Sequence, residues 1–199
     1  MNSDSTTHRE SRIANHESRR NIILVGFMGT GKTVTGRVLA EQTGLELVDM
    51  DSIIEERAGK AISEIFETDG EAAFRTMERE LVQELAQREG LIISTGGGIV
   101  LNPDNIADFE KTGLVVCLKA TPETIFKRVE KDTTRPLLEG DKKAQIASIL
   151  EMRQPLYDAI AHGVDTDGLT AEETATPILR AYEKMNDFSH RENEEAPNQ

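Results

Sequence analysis

The stretch "GFMGTGKT", residues 26–33, follows the apolar run "NIILV" (21–25) directly and leads into "VTGRVLAEQ" (34–42), where apolar positions recur at helical spacing. Strand, glycine-rich loop, helix is the order this stretch dictates. Gly26, Gly31, Lys32 and Thr33 fill the pattern G-x-x-x-x-G-K-[ST]. In that pattern glycines let backbone wrap a phosphate, the lysine reaches the β and γ phosphates, and the hydroxyl can ligate Mg²⁺. Gly29 relaxes the loop further, and a helix starting near Lys32 aims its N-terminal amides and positive dipole end at the anion. A nucleoside triphosphate is therefore the expected ligand. Where its terminal phosphoryl group goes is left open by the loop alone.

Working outward, short apolar runs alternate with helix-length segments: "NIILV", "LELVD", "LIIST", "LVVCL" and a weaker "HGVDT". This alternation predicts βαβ units and an α/β fold with a five-stranded parallel sheet between helices. Thr121 before Pro122 reads as an N-cap, and "TAEE" (170–173) as a capping box. Residues 1–20 and 186–199 are polar and without periodicity, so both read as disordered tails around a domain at 21–185.

The 199 residues fit one domain. A net charge of −13 disfavours binding to nucleic acid or to an acidic membrane surface. Anionic ligands must then be held by a few placed arginines. No apolar stretch reaches the length of a membrane span, and the first 20 residues lack the apolar region of a secretory signal. Asp4, Glu10 and Glu17 argue against an organellar presequence, so a cytoplasmic location is expected. The single cysteine, Cys117, lies in "GLVVCLK" and reads as a buried strand residue. A GTPase would show N-K-x-D for guanine, and no such motif is present.

"LELVDMDS" sets Asp49 and Asp51 two residues apart. In extended backbone both would leave the same side, their Cα atoms about 6.6 Å apart. At the carboxyl end of a strand beside the loop, Asp49 suits the Mg²⁺ shell, through water, and Asp51 a substrate hydroxyl. Gly96, Gly97 and Gly98 in "STGGGIV" allow bare backbone to approach a ligand. Arg153 falls on the same helical stripe as Ile146, Ile149, Tyr157 and Ile160, and Pro155 just after it is expected to kink or restart that helix. Arg75 stands beside a stripe of Phe74, Met77, Leu81 and Leu85; periodicity leaves it open between an ion pair with Glu71 or Glu78 and a ligand contact. "KDTTRPLLEGDKK" (131–143) reads as a lid carrying Arg135, which would exclude water and steady the transferring group.

Taken together, "GFMGTGKTVTGRVLA", "DMDSIIEERAGKAISEIFETDGEAAFR", "STGGGIV", "TRPLLEG" and "RQPLY" resemble the motifs of the shikimate kinase family in order and spacing, over roughly residues 21–166. The resemblance implies a three-layer P-loop fold like that of nucleoside-monophosphate kinases, with a helical substrate-binding region near 50–80 and a lid. It also implies phosphoryl transfer from ATP to the 3-hydroxyl of shikimate, on the route to chorismate and aromatic amino acids, by a monomer. Carried over by position, Gly29, Thr30, Gly31, Lys32, Thr33 and Val34 match the ATP phosphate site, with Thr33 on Mg²⁺. Asp51, Arg75, Gly97 and Arg153 match shikimate-binding positions, with Gly96 and Gly98 flanking. Arg128 matches the position near adenine and Arg135 the lid arginine. Lys32, Asp51 and Arg135 are the expected catalytic residues. After the fifth strand, "VDTDGLTAEE" departs from the family by lacking the basic or asparagine residues that some members place against adenine.

Overall fold

The computed structural model describes residues 19–130 and 141–194. Five strands form one parallel sheet: β1 (Asn21–Val25), β2 (Glu46–Asp49), β3 (Leu91–Ser94), β4 (Gly113–Lys119) and β5 (His162–Asp165). Their order is β2-β3-β1-β4-β5. β1 lies at the centre, pairing with β3 from Ile22 opposite Ile92 and with β4 from Asn21 opposite Gly113. All five of its residues are buried, as befits a strand covered on both faces.

Among the described residues the α-helices are α1 (Lys32–Thr43), α2 (Met50–Ala58), α3 (Ile62–Thr68), α4 (Gly70–Leu85), α5 (Pro103–Thr112), α6 (Pro122–Val129), α7 (Lys142–Asp158) and α8 (Ala171–Glu194). Because successive strand side chains point to opposite faces, the core divides in two. Ile22, Leu24, Ile92 and Val116 pack with Leu39 of α1 and Ile178 of α8. Ile23, Val25, Ile93, Val115 and Cys117 pack with residues of α2 to α7. Each wholly buried Ile or Leu contributes about 1.5–3 kcal/mol to that core. Cys117 is fully buried, as its strand setting predicts, and burial pushes its thiol up to about 11.

The chain leaves β1 towards β2 on one side, while β4 and β5 lie on the other, so the carboxyl end of β1 is a topological switch point. The glycine-rich loop sits there. Gly26 opens it at φ +141°, where an added Cβ would stand 2.3 Å from the Leu118 carbonyl oxygen of β4. Only glycine fits so close to that neighbouring strand.

Both expected caps are present. Thr121 Oγ1 accepts from the Thr124 amide, and Thr170 and Glu173 exchange reciprocal side-chain to backbone bonds at 3.2 and 2.8 Å. Three expectations need correction. α7 runs through Pro155 without a break; Pro155 and Glu151 are both exposed, a setting in which water can serve a carbonyl that the proline leaves without an amide partner. α8 continues to Glu194, well into the segment read as a disordered tail, because no proline or glycine interrupts 186–194. At the other end Arg19 and Arg20 belong to the fold, their carbonyls accepting from the Gly90 amide and from Tyr182 Oη.

Candidate active site

The loop between β1 and α1 is closed by its own residues. Thr30 Oγ1 donates to the Phe27 carbonyl at 2.8 Å, and Lys32 Nζ donates to the carbonyls of Gly26 and Phe27 at 2.8 and 3.0 Å. The ammonium group therefore lies curled against the loop it would share with a phosphate. Gly31, at φ +98°, starts α1, whose first amides open onto the same space.

Thr33 Oγ1 donates to Asp49 Oδ2 at 3.0 Å and lies 3.3 Å from Ser94 Oγ. These three oxygens stand at the carboxyl ends of neighbouring β2 and β3 and at the start of α1. Ser94 is a participant that sequence reasoning passed over. It precedes the glycines of "STGGG" and, as the last residue of a buried strand, reads as core.

The two aspartates are not in one extended segment. Asp49 ends β2 and caps α2, its Oδ1 accepting from the Ser52 amide at 3.3 Å, so that Asp51 lies in the first helical turn. The cap turns the chain within a single residue, and Met50 is fully buried beneath it. Asp51 nonetheless reaches the glycine turn: a Cβ on Gly96 would stand 2.8 Å from Asp51 Oδ1 and 3.3 Å from Glu78 Oε1.

Gly97 packs against the glycine-rich loop, a Cβ there falling 3.2 Å from the Met28 amide nitrogen, and its carbonyl accepts from Tyr157 Oη at 2.6 Å. Gly98 faces Arg75, with its Cβ position only 2.5 Å from both Nη1 and Nη2. All three glycines thus stand in close approach to other groups: the backbone of the glycine-rich loop at Gly97, and the ends of the Asp51 and Arg75 side chains at Gly96 and Gly98.

Arg75 turns out to make the ion pairs that periodicity allowed while also facing the glycines. Its Nη1 donates to Glu78 Oε2 at 2.9 Å, and Nε and Nη2 donate to Glu71 Oε1 at 3.2 and 3.0 Å. Glu78 takes the inward position on α4 and is 2 % exposed, while its neighbour Met77 is only partly buried. Burial raises the Glu78 carboxyl above its usual range; Arg75 and Arg153 oppose that rise, and Asp51 adds to it. Glu78 Oε1 is buried without a hydrogen-bond partner.

A carboxyl raised by folding favours the protonated form. Its contribution is thus fully present below the ordinary carboxylate pKa and is lost as pH rises through the raised folded value. Replacing Glu78 by Gln should remove this loss. Melting curves from pH 4 to 8 should show the variant gaining on the parent as pH rises, by about 2–4 °C for each kcal/mol relieved. Parallel curves would show that Glu78 carries no such penalty.

Arg153 lies on α7 beside Tyr157 and Glu78, both of which feel its charge. Burial pushes the Tyr157 hydroxyl up to about 12, against the pull of Arg153. On the opposite side of the glycine-rich loop, Arg128 donates to the Gly29 carbonyl at 3.2 Å, to Thr166 Oγ1 at 3.0 Å and to the Thr166 carbonyl at 2.8 Å. It thereby ties α6 to that loop and to the turn after β5. Val34 is exposed at the start of α1. Arg135 and residues 131–140 of the lid expected at 131–143 lie outside the described residues; Asp141 caps α7 through the amides of Lys143 and Ala144.

A phosphate loop at the switch point, oxygen donors beside it and an acid–arginine cluster across from it define a small-molecule kinase of the P-loop class. The shikimate kinase family model matches residues 28–183. The chain belongs to the shikimate kinase family, as its motifs lead one to expect. It is 41% identical over 167 residues to a shikimate kinase from Thermodesulfovibrio yellowstonii, covering 83% of this chain and 96% of that one. Among solved structures it resembles shikimate kinase from Acinetobacter baumannii in complex with shikimate, at TM-score 0.78 and 38% identity over 82% of this chain and 92% of the other. A gluconokinase from Sinorhizobium meliloti, at TM-score 0.58 and 15% identity over 87% of this chain and 97% of the other, shares the fold alone.

Proposed function

We infer that the chain transfers the γ-phosphoryl group of ATP to the 3-hydroxyl of shikimate, giving shikimate 3-phosphate and ADP on the route to chorismate and aromatic amino acids. What supports a hydroxy acid as the acceptor is one observation, the Arg75 guanidinium set against Gly98 on the same glycine turn that meets Asp51 and the phosphate loop, and the family match supports shikimate among such acids. A hydroxy acid needs both features, a cation for its carboxylate and an acid for its hydroxyl.

Gly29 to Val34 take the triphosphate, with Lys32 leaving its loop carbonyls to bridge the β and γ phosphates. Arg128 lies against the adenine side. Arg75 and Arg153 pair with the substrate carboxylate, and the Gly97 backbone lies between them and the phosphate loop. Asp51 orients the hydroxyl and accepts its proton as the oxygen attacks phosphorus and ADP departs. Lys32 and Arg135 balance the charge on the moving group.

The oxygen set of Thr33, Asp49 and Ser94 is hard and suits Mg²⁺; Thr33 and Asp49, the latter through water, would hold it. Bound there, the ion neutralises triphosphate charge. No helix among the described residues is long and apolar enough to cross a membrane. In this reading the enzyme works as a cytoplasmic monomer, without nucleic acid or membrane partners.

A coupled assay tests the acceptor. With ATP and Mg²⁺ present, shikimate should stimulate ADP release, while gluconate and nucleoside monophosphates should leave it at background. Turnover on one of those instead, or on none, would overturn the assignment.

A further inference from the structure

A guanidinium presents five N–H donors in a flat fork. In Arg75, Nε and Nη2 both donate to one oxygen of Glu71, and Nη1 donates to Glu78. The Cβ position of Gly98 is 2.5 Å from each of Nη1 and Nη2 but 2.8 Å from Cζ, so the Nη1–Nη2 end of the fork points at glycine backbone. The remaining edge that can take a carboxylate through two parallel bonds, Nε with Nη2, is the one Glu71 holds.

The two acids differ in what it costs to move them. The Glu78 side chain is 3% exposed, and leaving Arg75 would strand a buried charge. Glu71 is 58% exposed, one turn earlier on the same helix, and such pairs are weak because water competes for both partners. Glu71 can swing into solvent, taking its negative charge away from a pocket that already holds Asp51 and Glu78.

We propose that Glu71 is a built-in stand-in for the substrate's carboxylate, holding the Nε–Nη2 edge of Arg75 while the pocket is empty and yielding it to an incoming acid. This rests on the assignment of Arg75 to the shikimate carboxylate. The exchange is acid for acid, so the arginine stays paired and aimed at every stage. A ligand without a carboxylate has nothing to offer in return for Glu71, and the pair discriminates against it. Glu71 thereby sets substrate affinity through competition.

The test is Glu71→Gln, read as kcat/KM for shikimate and for its methyl ester. Removing the competitor should raise the value for shikimate about two- to fivefold, the range expected for an exposed pair, through a lower shikimate KM. The values for the ester and the KM for ATP should not move. In an Arg75→Ala background, where kcat/KM stays readable despite weak binding, the gain should vanish. An unchanged or lower value for shikimate overturns the proposal, and so does a gain that persists without Arg75, since that is a general field effect. Failure of the underlying assignment looks different: Arg75→Ala alone would leave the shikimate KM unchanged.

Discussion

Replacing Asp51 by Asn should lower kcat with shikimate by about 10² to 10⁴, the range for loss of a positioned general base, while ATP still binds. The substitution keeps the shape of the side chain and removes its capacity to accept a proton. Asp51 stands in the first turn of α2, where a carboxylate interacts favourably with the helix dipole, and its Oδ1 is held beside Gly96. The amide should therefore occupy the same place without disturbing the fold. In the proposed function ATP is held by the loop from Gly29 to Val34, so titration with ATP should give the parent's value. Rapid-quench measurement of a single turnover would localise the defect to phosphoryl transfer. Turnover within about threefold of the parent would remove Asp51 from its proposed role, because loss of a working base costs far more.

The setting of the glycine-rich loop was legible because the motif's spacing demands a strand before it and a helix after it, and β1 and α1 stand there. The three inner strands β1, β3 and β4 were legible because strands buried on both faces read as unbroken apolar runs, while the exposed edge strands β2 and β5 were read from their place in the alternation of strand and helix. Asp51 was assigned to the right neighbourhood through the wrong local geometry. The signal that could have corrected it was present, since Asp49 and Ser52 have the spacing of an N-cap and a capped amide.

Glu78 is the instructive failure. An apolar stripe with Met77 on it is what hydropathy selects, and a carboxylate one position further round the helix reads as solvated. In its buried place it is paired with Arg75, which in turn faces Gly98, more than 20 residues away in sequence. Periodicity records one helix at a time and cannot supply a contact between α4 and the turn after β3. Ser94 was overlooked for the same reason, its partner Thr33 lying on another element.

The second large effect concerns the two arginines. A molecule of charge −13 repels an anionic substrate on average, and Asp51 and Glu78 deepen that repulsion inside the pocket. Hydrogen bonds to charged groups are worth about 1.5–3 kcal/mol each, so losing both Arg75 and Arg153 should weaken shikimate binding by at least about 10²-fold. ATP binding serves as the control that the phosphate loop is intact in the double variant. Isothermal calorimetry with shikimate, on the parent and on the Arg75→Ala, Arg153→Ala protein, measures this directly. Saturable heat with the parent and none with the double variant at the same concentrations is the expected result; equal affinity in the two proteins would contradict the claim that these arginines gather the acid into the pocket.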